Sequence, residues 1–159
     1  MIKTKSQEIL DLVYSTGALK TGKSGTYYFD SKQLMLDPSG AGTIGRYIAE
    51  ELVSSGVTSV GGIALGAIPI VSAVTCATNR VSSFYILGGE IFGRLDSNIP
   101  VAIVEDTVTT GSSTLKAIRV VERRGNSIVK VLCLLDRNEG GREALAEAGY
   151  ELFSIMELT

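Results

Sequence analysis

One segment of the chain carries most of the information about its fold: Val101-Ala-Ile-Val-Glu-Asp-Thr-Val-Thr-Thr-Gly-Ser-Ser-Thr114. It begins within an apolar run, Pro100–Val104, which is typical of a strand in a parallel sheet that is covered on both faces. Two acids, Glu105 and Asp106, come next, and a hydroxyl-rich loop then opens into a helix predicted over residues 113–124. A buried strand that leads directly into a helix indicates an α/β fold.

Outside this segment, strands and helices continue to alternate. Apolar runs predict buried strands over residues 59–64, 82–87, 128–135 and 150–156. Helical spacing predicts helices over residues 6–14, 38–56, 70–78 and 141–148, with a tight turn at 66–69 and an irregular connection over 88–98. We therefore expect one domain, residues 1–159, with an open, mainly parallel sheet flanked by helices. Ligands of such folds bind where strands end, here after Ile63, Val104 and Leu135.

The composition excludes several functional classes. The 159 residues carry a net charge of -2 and include no histidine, which excludes a Ser-His-Asp triad and a histidine-ligated metal. Cys76 and Cys133 stand in apolar stretches, so we expect buried, reduced thiols and a cytoplasmic protein. The uncharged stretch Leu52–Asn79 is long enough for a membrane helix, but its glycines and Pro69 favour a strand, a loop and a packed helix instead.

The loop that follows the two acids is suited to a phosphate group. Backbone N–H groups at the start of a helix attract an anion, and Gly111 allows close approach of the backbone. Further donors are the hydroxyl groups of Thr109, Thr110, Ser112 and Ser113. Glu105 and Asp106 suit ribose hydroxyls, a magnesium shell or a positive charge that develops on a sugar. The sequence thus predicts a sugar-phosphate site; the alternative is a helix capped by Ser112 or Ser113 beside two solvated acids.

Residues 105–113 resemble the signature with which type I phosphoribosyltransferases bind 5-phosphoribosyl 1-diphosphate (PRPP). Three further segments resemble the orotate branch of that family, in the same order along the chain: Leu19–Asp30 its N-terminal segment, Gly62–Pro69 its pyrophosphate loop, and Leu134–Arg142 its C-terminal segment. The resemblance implies a homodimeric enzyme of pyrimidine nucleotide biosynthesis. It would form orotidine 5′-monophosphate and pyrophosphate from orotate and PRPP.

The same resemblance implies roles for individual residues. PRPP would be bound by Glu105, Asp106, Thr107, Thr109, Thr110, Gly111, Ser112, Ser113, Ala64, Leu65, Gly66 and Ala67. Mg²⁺ would be held mainly through the pyrophosphate group, without a metal site of the protein's own. Lys20 and Arg137 would bind the base, since an anionic ring such as orotate needs a cation. A solvated Lys20, and an Arg137 that pairs with Asp136 or Glu139, are the structural alternatives.

One connection departs from the family pattern. Relatives carry a lysine-rich mobile loop that closes over PRPP, whereas residues 88–98 are several residues shorter and their one cation is Arg94. Departing pyrophosphate develops negative charge, and a closing cation both neutralises it and excludes water. Three explanations remain open: Arg94 acts as a catalytic group beside Glu105 and Asp106, a partner subunit supplies the cation, or the protein is a non-catalytic regulatory protein that binds PRPP or a nucleotide.

Nucleic acid is not an expected partner. A net charge of -2 gives no overall positive field. The basic residues that could form a patch are Lys116, Arg119, Arg123, Arg124 and Lys130. Cations of this kind are common near the C-terminus of a helix, where the helix dipole favours them.

Overall fold

Nine strands and six helices form the fold in the computed structural model, which describes residues 2–4 and 6–159, without the side chain of residue 3. The helices are α1 (Gln7–Ser15), α2 (Ser31–Met35), α3 (Pro38–Ser54), α4 (Ala67–Ala77), α5 (Ser112–Glu122) and α6 (Gly141–Glu147). The strands are β1 (Ile2–Thr4), β2 (Leu19–Thr21), β3 (Tyr27–Phe29), β4 (Ser59–Ile63), β5 (Ser82–Leu87), β6 (Glu90–Gly93), β7 (Pro100–Val108), β8 (Ser127–Asp136) and β9 (Leu152–Leu158).

Seven strands form one sheet in the order β1-β9-β8-β7-β4-β5-β6. The five strands from β9 to β5 are parallel to their neighbours, while β1 and β6 pair antiparallel at the two edges. The remaining two strands, β2 and β3, form a separate antiparallel hairpin. The expected open, mainly parallel sheet flanked by helices is confirmed. β7 is its central strand, so the C-terminal end of β7 lies in the middle of the row of strand ends.

Both faces of the sheet are buried, which explains the all-apolar start of β7. Ala102 and Val104 belong to the hydrophobic core that packs against α1, α3 and α4. Val101 and Ile103, on the other face, belong to the core that packs against α5 and α6. Alternate side chains of one strand thus enter two different cores, as the two-residue period of a strand requires.

Local capping sets where two of the helices begin. Asp37 precedes α3, and its Oδ1 accepts hydrogen bonds from the N–H groups of Ser39 and Gly40, both at 2.9 Å. Pro38 occupies the first turn, where its missing N–H is not needed, so the predicted start of this helix is confirmed. Asp30 caps α2 in the same way by accepting from the N–H of Lys32 at 3.2 Å.

Several expected element bounds were wrong. α4 begins at Ala67, so the turn covers residues 64–66 and only Gly66 of the predicted turn at 66–69 belongs to it. β9 lies two residues further along the chain than expected. β7 continues to Val108, because its polar end still pairs with β8, so the two acids lie on the strand and not after it. Cys76 is exposed, whereas Cys133 is buried as expected.

Residues 88–98 are more regular than predicted. They contain β6, which pairs with β5 in a hairpin whose two-residue turn is Gly88–Gly89. Both turn residues have positive φ, 60° and 81°, a conformation that glycine adopts without a steric cost and that tight hairpins require. The connection is therefore a short, closed hairpin.

The uncharged stretch from Leu52 to Asn79 supplies the end of α3, all of β4 and all of α4. Within residues 2–4 and 6–159, none of the helices has the length and apolar character needed to cross a membrane.

Candidate active site

Asp106 is fixed in place by two hydrogen bonds. Ser31 donates its hydroxyl to Oδ2 at 2.8 Å, and the N–H of Thr107 donates to Oδ1 at 2.8 Å. Ser31 is buried and begins α2, so a helix 75 residues earlier in the chain is attached to the end of β7. A carboxylate with both oxygens engaged in this way is held in one orientation.

The loop between β4 and α4 lies directly against the same carboxylate. A Cβ atom added to Gly66 would come within 2.7–2.8 Å of the carboxylate atoms of Asp106. A Cβ atom at Gly62, on β4, would come within 2.0 Å of the backbone oxygen of Val104. The peptide bond that joins Ala64 to Leu65 is cis. Glycines at these two positions allow residues 64–67, the predicted pyrophosphate loop, to contact the predicted ribose-binding acid.

Glu105 differs sharply from its neighbour. It is 6% exposed, and its Oε1 atom has no hydrogen-bond partner among the residues described. Burial, with a smaller contribution from the charge of Asp106, raises the pKa of Glu105 to about 8. Glu105 is therefore mainly protonated at neutral pH, with a buried oxygen free to bind a hydroxyl group or a cation.

The start of α5 is open to an anion. Gly111, with φ of 77°, precedes the helix, and within the described part of the chain no side chain caps the first turn. The N–H groups of that turn are therefore available to a ligand. Ser112 and Ser113 are exposed there and do not cap the helix, contrary to the alternative interpretation of their hydroxyl groups.

The loop before α5 packs tightly on the start of α6. A Cβ atom at Gly141 would lie 2.5 Å from the backbone oxygen of Thr109 and 3.0 Å from the backbone nitrogen of Gly111. Thr110 is exposed at the tip of this loop. The structure thus brings together the residues predicted to bind PRPP: 64–67 on one side of Asp106, and 105–113 leading from β7 into α5.

The two residues predicted to bind the base lie on different segments. Arg137 follows β8; its N–H donates to the backbone oxygen of Val108 at 3.0 Å, so it lies beside the end of β7. Its guanidinium is paired with Glu139 at 2.9 Å, while Asp136 pairs with Arg142 instead. Both arginines are therefore ion-paired, and of the two only Arg137 lies in the loop that follows β8.

Lys20 lies on β2 opposite Tyr28 of β3, and its side chain is exposed. This hairpin continues through Asp30 into α2, the helix that reaches Asp106. Lys20 thus belongs to the segment that is anchored at the site. Its contact with a base remains a prediction.

The placement of Arg94 contradicts the expectation that it is a catalytic group of its own chain. Its backbone oxygen accepts hydrogen bonds from the hydroxyl groups of Ser59 and Ser82, the first residues of β4 and β5. Ser59 pairs with Val101, so Asp106 lies further along β7 by five residues, or roughly 16 Å at the usual rise per residue. An arginine side chain does not span that distance.

Two residues of the site were missed by the sequence analysis. Ser31 and Lys32 follow directly on the segment that ends at Asp30, and Nζ of Lys32 lies 2.9 Å from Oδ1 of Asp30. The hydrogen bond to Asp30 raises the pKa of Lys32, and the charges of Asp30, Tyr28 and Asp106 raise it further. An aspartate in a capping position was the signal that a short helix begins here.

Comparison with known proteins agrees with this geometry. No family model matches the chain. The orotate phosphoribosyltransferase of Aquifex aeolicus is 33% identical over 171 residues, which cover 100% of this chain and 92% of the relative. The chain belongs to the orotate phosphoribosyltransferase family. The alignment spans the whole of this chain, so it includes all four segments that resemble the family.

Solved structures of the family superpose closely on the chain. Mycobacterium tuberculosis orotate phosphoribosyltransferase in complex with inorganic phosphate has a TM-score of 0.83 at 29% identity and covers 96% of this chain and 97% of its own. The same enzyme in complex with PRPP has a TM-score of 0.82 at 30% identity, covering 95% and 96%. The type I phosphoribosyltransferase fold expected from the sequence is confirmed.

Proposed function

We propose that this chain is an orotate phosphoribosyltransferase, which converts orotate and PRPP into orotidine 5′-monophosphate and pyrophosphate in pyrimidine nucleotide biosynthesis. The observation that carries the proposal is the position of Asp106, in contact with the Gly66 loop and hydrogen-bonded at 2.8 Å to Ser31. Two relatives named above as orotate phosphoribosyltransferases support it, one of them solved with PRPP bound.

Each part of PRPP has a matching part of the site. The 5-phosphate binds at the open start of α5, where Thr109, Thr110, Gly111, Ser112 and Ser113 offer N–H and hydroxyl donors. The ribose hydroxyls bind Glu105 and Asp106, with Thr107 holding Asp106 in place through its N–H. The pyrophosphate binds along the backbone of Ala64, Leu65, Gly66 and Ala67.

The reaction requires positioning and charge, and no histidine. The bond between C1 of the ribose and the pyrophosphate oxygen breaks, and the electron pair leaves with pyrophosphate. Asp106 orients the ribose and stabilises the positive charge that develops on the ring while the base nitrogen attacks C1. The proton of that nitrogen passes to the departing pyrophosphate. The lack of an acid–base histidine is therefore no obstacle to this chemistry.

Magnesium fits the donor set. Asp106 provides carboxylate oxygens and the protonated Glu105 an unpartnered Oε1, and Mg²⁺ prefers oxygen ligands together with substrate phosphates. Among the residues described, no group of three or more acidic or sulfur ligands is placed to hold a metal, so the pyrophosphate itself would be the main ligand. Bound in this way, Mg²⁺ supplies positive charge to the leaving group.

The base would be bound by Arg137 and Lys20. Arg137 must leave Glu139 to contact the orotate carboxylate, a favourable exchange because an arginine can bind a carboxylate with two hydrogen bonds. We further propose a single-domain cytoplasmic protein that forms a symmetric homodimer, the commonest oligomer. Sedimentation of the purified protein tests the dimer.

Turnover tests the proposed function. Purified protein is mixed with PRPP, Mg²⁺ and either orotate, uracil or adenine, and loss of the base is followed spectroscopically. The expected result is consumption of orotate alone, and none by Asp106→Asn. Consumption of another base instead would show that the protein is a phosphoribosyltransferase whose substrate is not orotate.

A second candidate function is supported by the closed β5–β6 hairpin, which takes the place of the family's lysine-bearing loop. In that case the protein binds PRPP or a nucleotide as a regulatory protein and does not catalyse. Calorimetry separates the two: PRPP binding without turnover of any base would favour the regulatory function.

A further inference from the structure

The site has little positive charge for so anionic a ligand. The hairpin turn that follows β5 reads Gly88-Gly89-Glu90 and carries no cation, and Arg94 lies at the other end of the sheet. Arg137 lies beside the end of β7 but is paired with Glu139. A cation of this chain that faces the leaving group would therefore come from another element.

The first turn of α2 provides such a cation. The hydroxyl of Ser31 is 2.8 Å from Asp106, so the backbone of the next residue, Lys32, is held close to the same carboxylate. Asp106 also lies against Gly66 of the predicted pyrophosphate loop. Lys32 and that loop are thus both neighbours of one carboxylate.

Lys32 is free to change partner. Its side chain is 68% exposed and is held by Asp30 alone among the described residues, at 2.9 Å. Exposed ion pairs of this kind are weak, because water screens both charges. A pyrophosphate group carries several charges and accepts stronger hydrogen bonds than the single carboxylate of Asp30. The charge of Asp106 also reaches Lys32, as its raised pKa indicates.

We propose that Lys32 is a pyrophosphate-binding residue, which leaves Asp30 and contacts the pyrophosphate group of PRPP; the assignment rests on the proposed function for its substrate. As the bond to C1 breaks and the electron pair passes to pyrophosphate, Lys32 stays protonated and donates hydrogen bonds to the leaving group. Lys32 itself transfers no proton. This role places the compensating cation on α2 and not on the β5–β6 connection.

Substitutions of Lys32 and of its partner Asp30 should have opposite effects and together test the proposal. Lys32→Gln should weaken binding of inorganic pyrophosphate with Mg²⁺, measured by calorimetry, about 10- to 100-fold, and Lys32→Arg should restore most of that loss. Asp30→Asn should tighten pyrophosphate binding, because asparagine still caps α2 but no longer competes for the lysine. Arg80→Gln is the control, since it removes an exposed cation near the start of β5, at the other end of the sheet.

Unchanged affinity in Lys32→Gln would overturn the proposal, as would weaker binding in Asp30→Asn, which would show that the ion pair serves the structure of α2. Failure of the wild-type protein to bind pyrophosphate would also overturn it. Pyrophosphate binding that depends on Lys32, without consumption of orotate, would support the proposal and reject the proposed function.

Discussion

Gly66 and Asp106 set how closely the loop after β4 approaches β7. The Asp106 carboxylate is held by Ser31 and by the N–H of Thr107, so it has no free direction in which to move away from a new side chain. A Cβ atom at Gly66 would therefore displace it and break one of those hydrogen bonds.

Gly66→Ala should lower PRPP affinity about tenfold or more and cost about 1 kcal/mol of stability, the usual contribution of one hydrogen bond. Calorimetry and denaturant unfolding measure the two effects. The control is Gly42→Ala on α3, where a Cβ atom would lie 3.5 Å from Nη1 of Arg46, an ordinary contact. Equal PRPP affinity in the two variants would contradict this account of the loop.

Glu105 makes the stability of the folded chain depend on pH. Its pKa is raised from 4.5 to about 8, so between these values the folded state binds more protons than the unfolded state. The free energy of unfolding then falls as pH rises through this window. Above pH 8 a buried carboxylate remains without a hydrogen-bond partner for Oε1 in the described structure.

Glu105→Gln removes that titration. The variant should be more stable than the wild-type protein above pH 8, by an amount on the order of 5 kcal/mol, and the difference should vanish below about pH 4.5. Urea unfolding at a series of pH values measures it. A difference that is independent of pH would show that folding leaves the pKa of Glu105 unchanged and would contradict this account of its burial.

At the scale of single residues, the acids and the loop that the sequence predicted as a sugar-phosphate site lie together at the end of β7. Arg94 lies at the other end of the sheet, and Lys32 was not among the residues predicted from the sequence. Glu105, Asp106 and Gly111 stand in one continuous segment, which a local pattern can identify. Whether Arg94 or Lys32 lies near the site depends on which end of the sheet its segment reaches. That is a property of pairing between distant strands, and a local pattern does not contain it.

At the scale of elements, the start of α5 is the part of the site with the clearest electrostatic function. Among the described residues no side chain caps its first turn, and Gly111 holds the backbone before it with φ of 77°. A Cβ atom there would lie 3.0 Å from the backbone oxygen of Gly141. The loop can change shape only if α6 moves as well.

Gly111→Ala should weaken binding of inorganic phosphate about tenfold and cost about 1–2 kcal/mol, because the residue must adopt a left-handed conformation. The matched control is Gly149→Ala, whose φ is 92° and whose added Cβ would meet no atom within 4 Å. It should show the same stability loss with unchanged phosphate affinity. Loss of phosphate binding in both variants would point to a global effect and not to the helix start.

The elements that sequence could predict are those with long periodic patterns or strong caps. Asp37 and Pro38 define the start of α3. The apolar run of β5 predicted both ends of that strand correctly. α2 has five residues and β6 has four, too short for either period to be recognised. β7 was predicted too short because its second half is polar, although it keeps its pairing with β8.

At the scale of the whole molecule, PRPP would join elements that are far apart in sequence. The proposed site draws on the start of α2, the loop after β4, the end of β7 and the start of α5. A ligand that binds only when all four are in place stabilises the folded state as a unit.

PRPP with Mg²⁺ should therefore raise the melting temperature. At a concentration of about 100 times the dissociation constant the gain is about 2.7 kcal/mol, which corresponds to roughly 5–10 °C for a domain of this size. Asp106→Asn should lose most of this shift, while its melting temperature without ligand stays within a few degrees of the wild-type value. A full shift in the variant would mean that PRPP binds elsewhere.

The most direct test of the central claim is to identify the product. Protein, PRPP, Mg²⁺ and orotate are incubated, and orotidine 5′-monophosphate and pyrophosphate are quantified by mass spectrometry and by an enzyme-coupled assay. Both products should form in equal amounts and in proportion to the orotate lost, and Asp106→Asn should form neither. Absence of orotidine 5′-monophosphate, with PRPP bound to the protein, would contradict the claim.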